Sequence, residues 1–223
     1  MSVPPSPVDK NWIVIPDDFP GYPLSQFIIP SHYRDAVERV LIPHGLILDR
    51  VEKLAYDIAK DTEGSLTAIC VLKGGHQFFA DLTAKMKKRT NAQGNNLPLH
   101  LDFIKVKSYH NTESTGNVSI SYTEQELKGL KGKHLLLVED IIDTGNTMVA
   151  LLAKLKQYEP ASIRVVSLFL KRTPLSNGYQ PDFVGFEIPN NFIVGYALDY
   201  NEHFRDLDHV CVISEHGKAK YAE

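Results

Sequence analysis

The stretch His134–Leu155, HLLLVEDIIDTGNTMVALLAKL, decides the fold. Leu135–Val138 is an apolar run of strand length, and Met148, Leu151, Leu152, Leu155 and Tyr158 recur at helical spacing until Pro160 stops the helix. Between the two lie Glu139, Asp140 and Asp143 and a Thr-Gly-Asn-Thr turn. A buried strand that feeds directly into a helix is half of a βαβ unit.

The same alternation extends outward along the chain. Upstream, Ile47, Val51, Leu54, Ala55 and Ile58 form one face of a helix that ends before Gly64, and TAICVL, Thr67–Leu72, reads as a buried strand. Lys73-Gly74-Gly75 then turns into a helix marked by Phe78, Phe79, Leu82 and Met86, and LHLDFIKVKSY, Leu99–Tyr109, alternates as a strand. HNTESTG, 110–116, is a polar loop of the kind used as lids, with VSISY as its return strand. Downstream, SIRVVSLFL, Ser162–Leu170, is the next strand. The order strand, helix, strand predicts an α/β fold whose largely parallel central sheet is flanked by helices and binds ligands beyond the carboxyl ends of its strands. FVGFEI, FIVGYAL and VCVIS, within residues 178–223, read as smaller β structure packed over that end. The chain is read as one domain, 1–223, with residues 1–10 a flexible N-terminus.

At 223 residues, 43% hydrophobic and 23% charged, the chain has the composition of a soluble globular protein. A net charge of -3 supplies no global attraction for nucleic acid or an anionic membrane, and no apolar run nears the roughly 18 residues of a bilayer span. These readings predict a cytosolic protein with neither kind of partner. The basic run KMKKR, Lys85–Arg89, reads as a solvated last helical turn. Cys70 and Cys211 sit in apolar runs, as buried hydrophobes do, and the nine histidines lack zinc-ligand spacing.

Three acids at one strand end need an explanation beyond helix capping. Capping by Asp143 or Thr147 would account for one of them. Two carboxylates about 4 Å apart repel by up to about 4 kcal/mol at an effective dielectric of about 20, whereas a helix dipole returns only about 0.3–1 kcal/mol. Something cationic or polyhydroxylated must offset them. Glu139 and Asp140 suit sugar hydroxyls or hydrated Mg²⁺, a hard ion that keeps several waters. The Asp143–Thr147 turn, opening a helix, offers backbone N–H groups and hydroxyls to a phosphate. Together they point to a phosphorylated sugar. No G-x-x-x-x-G-K-[ST] or G-x-G-x-x-G occurs, so a P-loop hydrolase and a dinucleotide fold are disfavoured. A phospho-acceptor receiver also gathers acids, but from separate strands.

VEDIIDTGNTM resembles the signature with which purine phosphoribosyltransferases bind 5-phosphoribosyl-1-pyrophosphate (PRPP). VLKGGHQFFADL, VKSYHNTESTG, LKRTP, PDFVGFEIP and VGYALDYNEHFRDLDHVCVIS resemble, in the same order, further segments of the hypoxanthine-guanine phosphoribosyltransferases, a purine branch of the type I family. The resemblance runs from about Ile13 to Tyr221. It implies the type I phosphoribosyltransferase fold, with a hood built from N- and C-terminal segments. The implied reaction is purine salvage: transfer of the phosphoribosyl group of PRPP to N9 of hypoxanthine or guanine, giving IMP or GMP and pyrophosphate. Two Mg²⁺ ions and a homodimer or homotetramer are implied with it.

The residue roles follow from the same resemblance. Glu139 and Asp140 would hold the ribose hydroxyls and one hydrated Mg²⁺, and Asp143, Thr144, Gly145, Asn146 and Thr147 would receive the 5′-phosphate. Asp143 would also lie near N7 of the base as the catalytic general base. Lys73 and Gly74 match a pyrophosphate loop whose Leu72–Lys73 peptide is often cis, and Arg205 matches a cation for pyrophosphate. Lys171 would donate to O6 of the purine, Phe192 would stack on it, and Ile193 would contact its edge through the backbone. Asp199, on the purine side, would bind a second Mg²⁺. Ser108 and Tyr109 would belong to a loop that closes over PRPP and excludes water from an oxocarbenium-like transition state. Without the resemblance, Lys73-Gly74-Gly75 is an ordinary turn, Lys171 a solvated strand-end cation, Phe192 a core residue, Asp199 a turn acid and Arg205 half of a surface ion pair. One position departs from the family: Asn146 stands where vertebrate members carry lysine, which bears on PRPP affinity. Two other functions fit such a fold. A non-enzymatic sensor or regulator would be expected to carry a basic face, and a transferase for adenine or a pyrimidine would not call for Lys171.

Overall fold

A computed structural model describes residues 10–91, 93–108 and 118–223. In chain order the strands and α-helices are β1 (Ile13–Val14), β2 (Val37–Ile42), α1 (His44–Lys60), β3 (Leu66–Leu72), α2 (His76–Met86), β4 (Leu99–Ser108), β5 (Val118–Ile120) and α3 (Glu124–Lys128). They continue with β6 (His134–Ile142), α4 (Asn146–Lys156), β7 (Ser162–Lys171), β8 (Phe183–Ile188), β9 (Ile193–Val194), β10 (Val210–Ile213) and α5 (Glu215–Lys220).

The main sheet has the order β1-β8-β7-β6-β3-β4-β5, and every pairing in it is parallel except that of the edge strand β5. Its central strands are covered on both faces, as near-continuous apolar runs require. Side chains alternate along β6: Leu136 and Val138 join the cluster under α1 and α2, whereas Leu135 and Leu137 pack with Met148, Leu151 and Leu155 of α4. This period of two is what commits the strand to a two-sided layer. The alternation inverts at the acids, because Ile141 packs on the α1/α2 side with Val138, and Ile142 on the α4 side.

Strand pairing differs from the expectation in two places. β6 does not end at Val138; it runs through Glu139 and Asp140 because β7 continues to pair with it as far as Ile142↔Leu170. FVGFEI does not belong to the C-terminal β structure but is β8, a parallel neighbour of β7. Its last five residues are all buried, which suits an interior strand rather than a cap. The buried Arg50 of α1 reinforces this placement by donating to the backbone oxygens of Gly185 (3.0 Å) and Val184 (2.9 Å).

The second sheet, β2-β10-β9, is antiparallel and joins an N-terminal strand to two C-terminal ones. Beneath it, Tyr33 stacks on Phe204 with ring centroids 4.4 Å apart, and its hydroxyl donates to Asp206 at 2.7 Å while accepting from the Phe204 N–H at 2.9 Å. Cys70 and Cys211 are fully buried free thiols, and burial pushes each up to about 12. In the KMKKR run, Lys85 and Arg89 both bind Glu52 of α1, so part of that cluster staples α2 to α1 rather than facing solvent alone. Among the described residues no helix is long and apolar enough to cross a membrane.

Candidate active site

Sheet order makes β7, β6 and β3 neighbours, so the loops that leave their carboxyl ends meet. From β3 comes the Lys73-Gly74-Gly75 turn, with a cis Leu72–Lys73 peptide. A Cβ on Gly74 would fall 1.6 Å from Asp140 Oδ2, so only glycine lets this loop lie against the acids of β6. From β6 come Glu139 and Asp140, then Asp143–Gly145 and α4. From β7 comes Lys171.

The acids separate into two environments. Glu139 and Asp140 are partly shielded at the strand end, and neither has a salt bridge among the described residues. Burial raises the carboxyl of Glu139 well above its ordinary range, reinforced by the charge of Asp140. Burial raises Asp140 also, while its hydrogen bonds and the charge of Arg205 pull the other way. Asp143 is different: it is exposed, and its Oδ2 lies 2.9 Å from Lys171 Nζ, whose side chain is only 11% exposed. The lysine is thus held in the wall of the site with the carboxylate at its mouth.

Capping does not explain the turn. Gly145 is the N-cap of α4, at φ +84°, and among the described residues no side chain caps the helix. Thr144 Oγ1 makes only a 3.4 Å contact with the N–H of Asn146. Asp143 is turned to Lys171 instead, which leaves the helix start open to an anion.

The opposite wall comes from the segment between β9 and β10. Tyr196, Ala197, Asn201, Glu202 and Phe204 all have positive φ, from 49° to 72°, an uncommon concentration for non-glycine residues and one that marks functional loops. Arg205 Nη2 pairs with Asp199 Oδ1 at 2.8 Å and with Glu202 Oε1 at 3.2 Å, while Nη1 donates to the Ala197 carbonyl at 2.8 Å. Glu202 Oε2 also takes Lys73 Nζ at 2.7 Å, tying this segment to the β3–α2 loop. Phe192 is 45% exposed, with an edge contact to Tyr200 at 5.4 Å, so it is not the core residue that its apolar neighbourhood suggests. Ile193 beside it is buried.

Residues 41–201 match the model of the phosphoribosyl transferase domain family, 161 of 223 positions, and they include all three strand ends that meet at the site. The chain belongs to that family. It is 57% identical to human hypoxanthine-guanine phosphoribosyltransferase over 210 residues, covering 94% of this chain and 96% of that one. The mouse enzyme of the same name is 56% identical over 216 residues, covering 96% and 99%. A crystal structure of hypoxanthine-guanine phosphoribosyltransferase from Schistosoma mansoni in complex with IMP superposes with a TM-score of 0.80 at 41% identity, covering 96% of this chain and all of that one. The type I phosphoribosyltransferase fold expected from the sequence is the fold found.

Within this phosphoribosyl transferase domain, Lys73, Gly74, Glu139, Asp140, the Asp143–Thr147 turn and Lys171 sit on adjacent strand ends. Asp199 and Arg205 lie on the facing segment, joined to Lys73 through Glu202. Ser108 is the last residue of β4, and Tyr109 and the 110–116 loop lie outside the described residues. Glu202 was not singled out in the sequence, where it is one acid in a polar turn. Its bridging position depends on a contact 129 residues away.

Proposed function

We infer that this chain is a purine-salvage enzyme, a hypoxanthine-guanine phosphoribosyltransferase that transfers the 5-phosphoribosyl group of PRPP to N9 of hypoxanthine or guanine. Its products are IMP or GMP and pyrophosphate. One observation carries the mechanistic reading: Asp143 is held by Lys171 at the rim of the α4 start, apart from Glu139 and Asp140, which have no salt bridge among the described residues.

In this reading the turn Asp143–Thr147 receives the 5′-phosphate through backbone N–H groups, the Thr144 and Thr147 hydroxyls and the Asn146 amide. Glu139 and Asp140 accept hydrogen bonds from the ribose hydroxyls. Lys171 donates to O6 of the base, Phe192 stacks on its face, and the backbone of Ile193 meets its edge. As N9 forms its bond to C1′, the bond from C1′ to the pyrophosphate oxygen breaks, and the N7 proton passes to Asp143. Lys73, the Gly74 backbone and Arg205 receive the departing pyrophosphate, exchanging their ion pairs with Glu202 and Asp199 for phosphate oxygens.

The donor set fits Mg²⁺. Two adjacent carboxylates with no salt bridge among the described residues, both raised by burial and Glu139 also by the charge of Asp140, suit a hard dication that retains water, and no three His, Cys, Asp or Glu side chains converge among the described residues to form a dehydrated cage. Glu139 and Asp140 would hold one ion and Asp199 a second, and the ions would offset charge on the pyrophosphate. A cytosolic location and a dimer or tetramer belong to the same proposal. The exposed Leu101 and Phe103 on β4 support assembly.

Purified protein with Mg²⁺, PRPP and guanine or hypoxanthine is expected to form GMP or IMP, read by the purine absorbance change. No product at saturating PRPP contradicts the assignment. A parallel arm with xanthine measures how far the pocket extends to other 6-oxopurines.

A further inference from the structure

Asn146, in the turn that opens α4, does not stand alone. The loop after β7 folds back on the α4 start, where the N–H of Asn177 donates to the Thr144 carbonyl at 2.9 Å. The approach is so close that a Cβ on Gly145 would meet Asn177 Oδ1 at 2.4 Å and Tyr179 Cβ at 3.0 Å. At the contact, Asn177 Nδ2 donates to Asn146 Oδ1 at 3.0 Å.

Which end of each carboxamide faces which partner follows from the donors and acceptors. The N–H of Tyr179 donates at 3.0 Å to the Asn177 side chain, and only an oxygen can accept it. That Asx turn assigns Asn177 Oδ1, so its Nδ2 is the atom turned to Asn146. A donor there requires Asn146 to present its oxygen. The Asn146 Nδ2 is left over, and among the described residues it donates to no side chain or backbone group.

We propose that Asn177 is a positioning residue for the reaction: it holds the Asn146 carboxamide by its oxygen, so that the NH₂ group is the end offered to the 5′-phosphate. The pair supplies a neutral, oriented donor. This rests on the reading of Asp143–Thr147 as the 5′-phosphate cradle. A free asparagine would be as ready to turn its oxygen, an acceptor, toward the phosphate. Anchoring the oxygen removes that alternative before the substrate arrives.

Asn177→Asp separates positioning from a structural role. The carboxylate still accepts from Tyr179 and keeps the Asx turn, but it offers Asn146 an acceptor, so the amide turns over and presents its oxygen to the phosphate. Asn177→Ala loses the turn acceptor and leaves Asn146 free to rotate. The expected result is a KM for PRPP raised about tenfold by Asn177→Asp, and less by Asn177→Ala, in line with one hydrogen bond to a charged group. The KM for hypoxanthine and inhibition by pyrophosphate stay unchanged, and inhibition by GMP, which carries the 5′-phosphate, weakens in parallel with PRPP. Asn177→Ala at least as damaging as Asn177→Asp would reduce the residue to its turn and overturn the proposal. The cycle with Asn146→Ala uses only variants that keep the turn acceptor. In that background Asn177→Asp is expected to have no further effect, and a loss that persists would mean charge repulsion alone and equally overturn it. Asn146→Ala itself raises the KM for PRPP if the cradle is read correctly. An unchanged value would remove the 5′-phosphate reading, and the proposal with it.

Discussion

Asp143→Asn is expected to lower kcat for hypoxanthine by about 10²–10⁴-fold, the range that a positioned general base contributes. The substitution keeps the shape of the side chain, and the amide oxygen still accepts from Lys171, so the mouth of the site retains its geometry. What is lost is a group able to take the N7 proton as N9 attacks. Asp143 is 50% exposed, so its pairing with Lys171 is screened by solvent and the loss of its charge costs little stability while the amide oxygen still accepts. Thermal unfolding of the variant should therefore match the parent, and the deficit should appear in kcat. Turnover within twofold of the parent would remove the proton from this residue.

Lys171→Met carries the second large effect. The lysine stem is held in the wall, with its side chain 11% exposed, and methionine fills similar space without the ammonium. A hydrogen bond from a cation to the purine O6 contributes about 1.5–3 kcal/mol, so kcat/KM for hypoxanthine should fall about 10–150-fold. Discrimination is the sharper readout. A donor aimed at position 6 rejects adenine, whose 6-amino group is itself a donor, and sites built on such a bond discriminate by about 10⁴–10⁵. Lys171→Met should narrow that ratio from the hypoxanthine side. A variant with parental kcat/KM for hypoxanthine would show that O6 is read elsewhere.

How much of this was legible in the sequence follows from where contacts lie along the chain. The strand, acids, turn and helix of residues 134–155 are contiguous, so local periodicity and turn chemistry expose both the layer and the turn proposed to receive phosphate. Helices α1 and α2 and strands β3, β4 and β7 were legible for the same reason. Partners chosen by tertiary packing were not. FVGFEI has the composition of any buried strand, and nothing local says whether β7 or β10 will pair with it. Glu202 takes its meaning from Lys73, and Asn177 from Asn146, 31 residues away. The left-handed residues from Tyr196 to Phe204 carry no glycine signal, so the shape of the segment bearing Asp199 and Arg205 appears only when the chain is folded. The resemblance supplied roles for Lys171, Phe192, Asp199 and Arg205 that periodicity leaves at their ordinary explanations.

The division of the three acids is the central claim, and calorimetric binding of PRPP with Mg²⁺ to Asp143→Asn and to the double variant Glu139→Gln/Asp140→Asn tests it most directly. With Asp143 serving the base and the other two serving ribose and metal, Asp143→Asn should bind PRPP within about threefold of the parent, since it retains the cradle's backbone donors and hydroxyls. The double variant should lose at least about tenfold in affinity, having given up charged hydrogen bonds and ion ligands together. PRPP binding that fails in Asp143→Asn and survives in Glu139→Gln/Asp140→Asn would contradict the account.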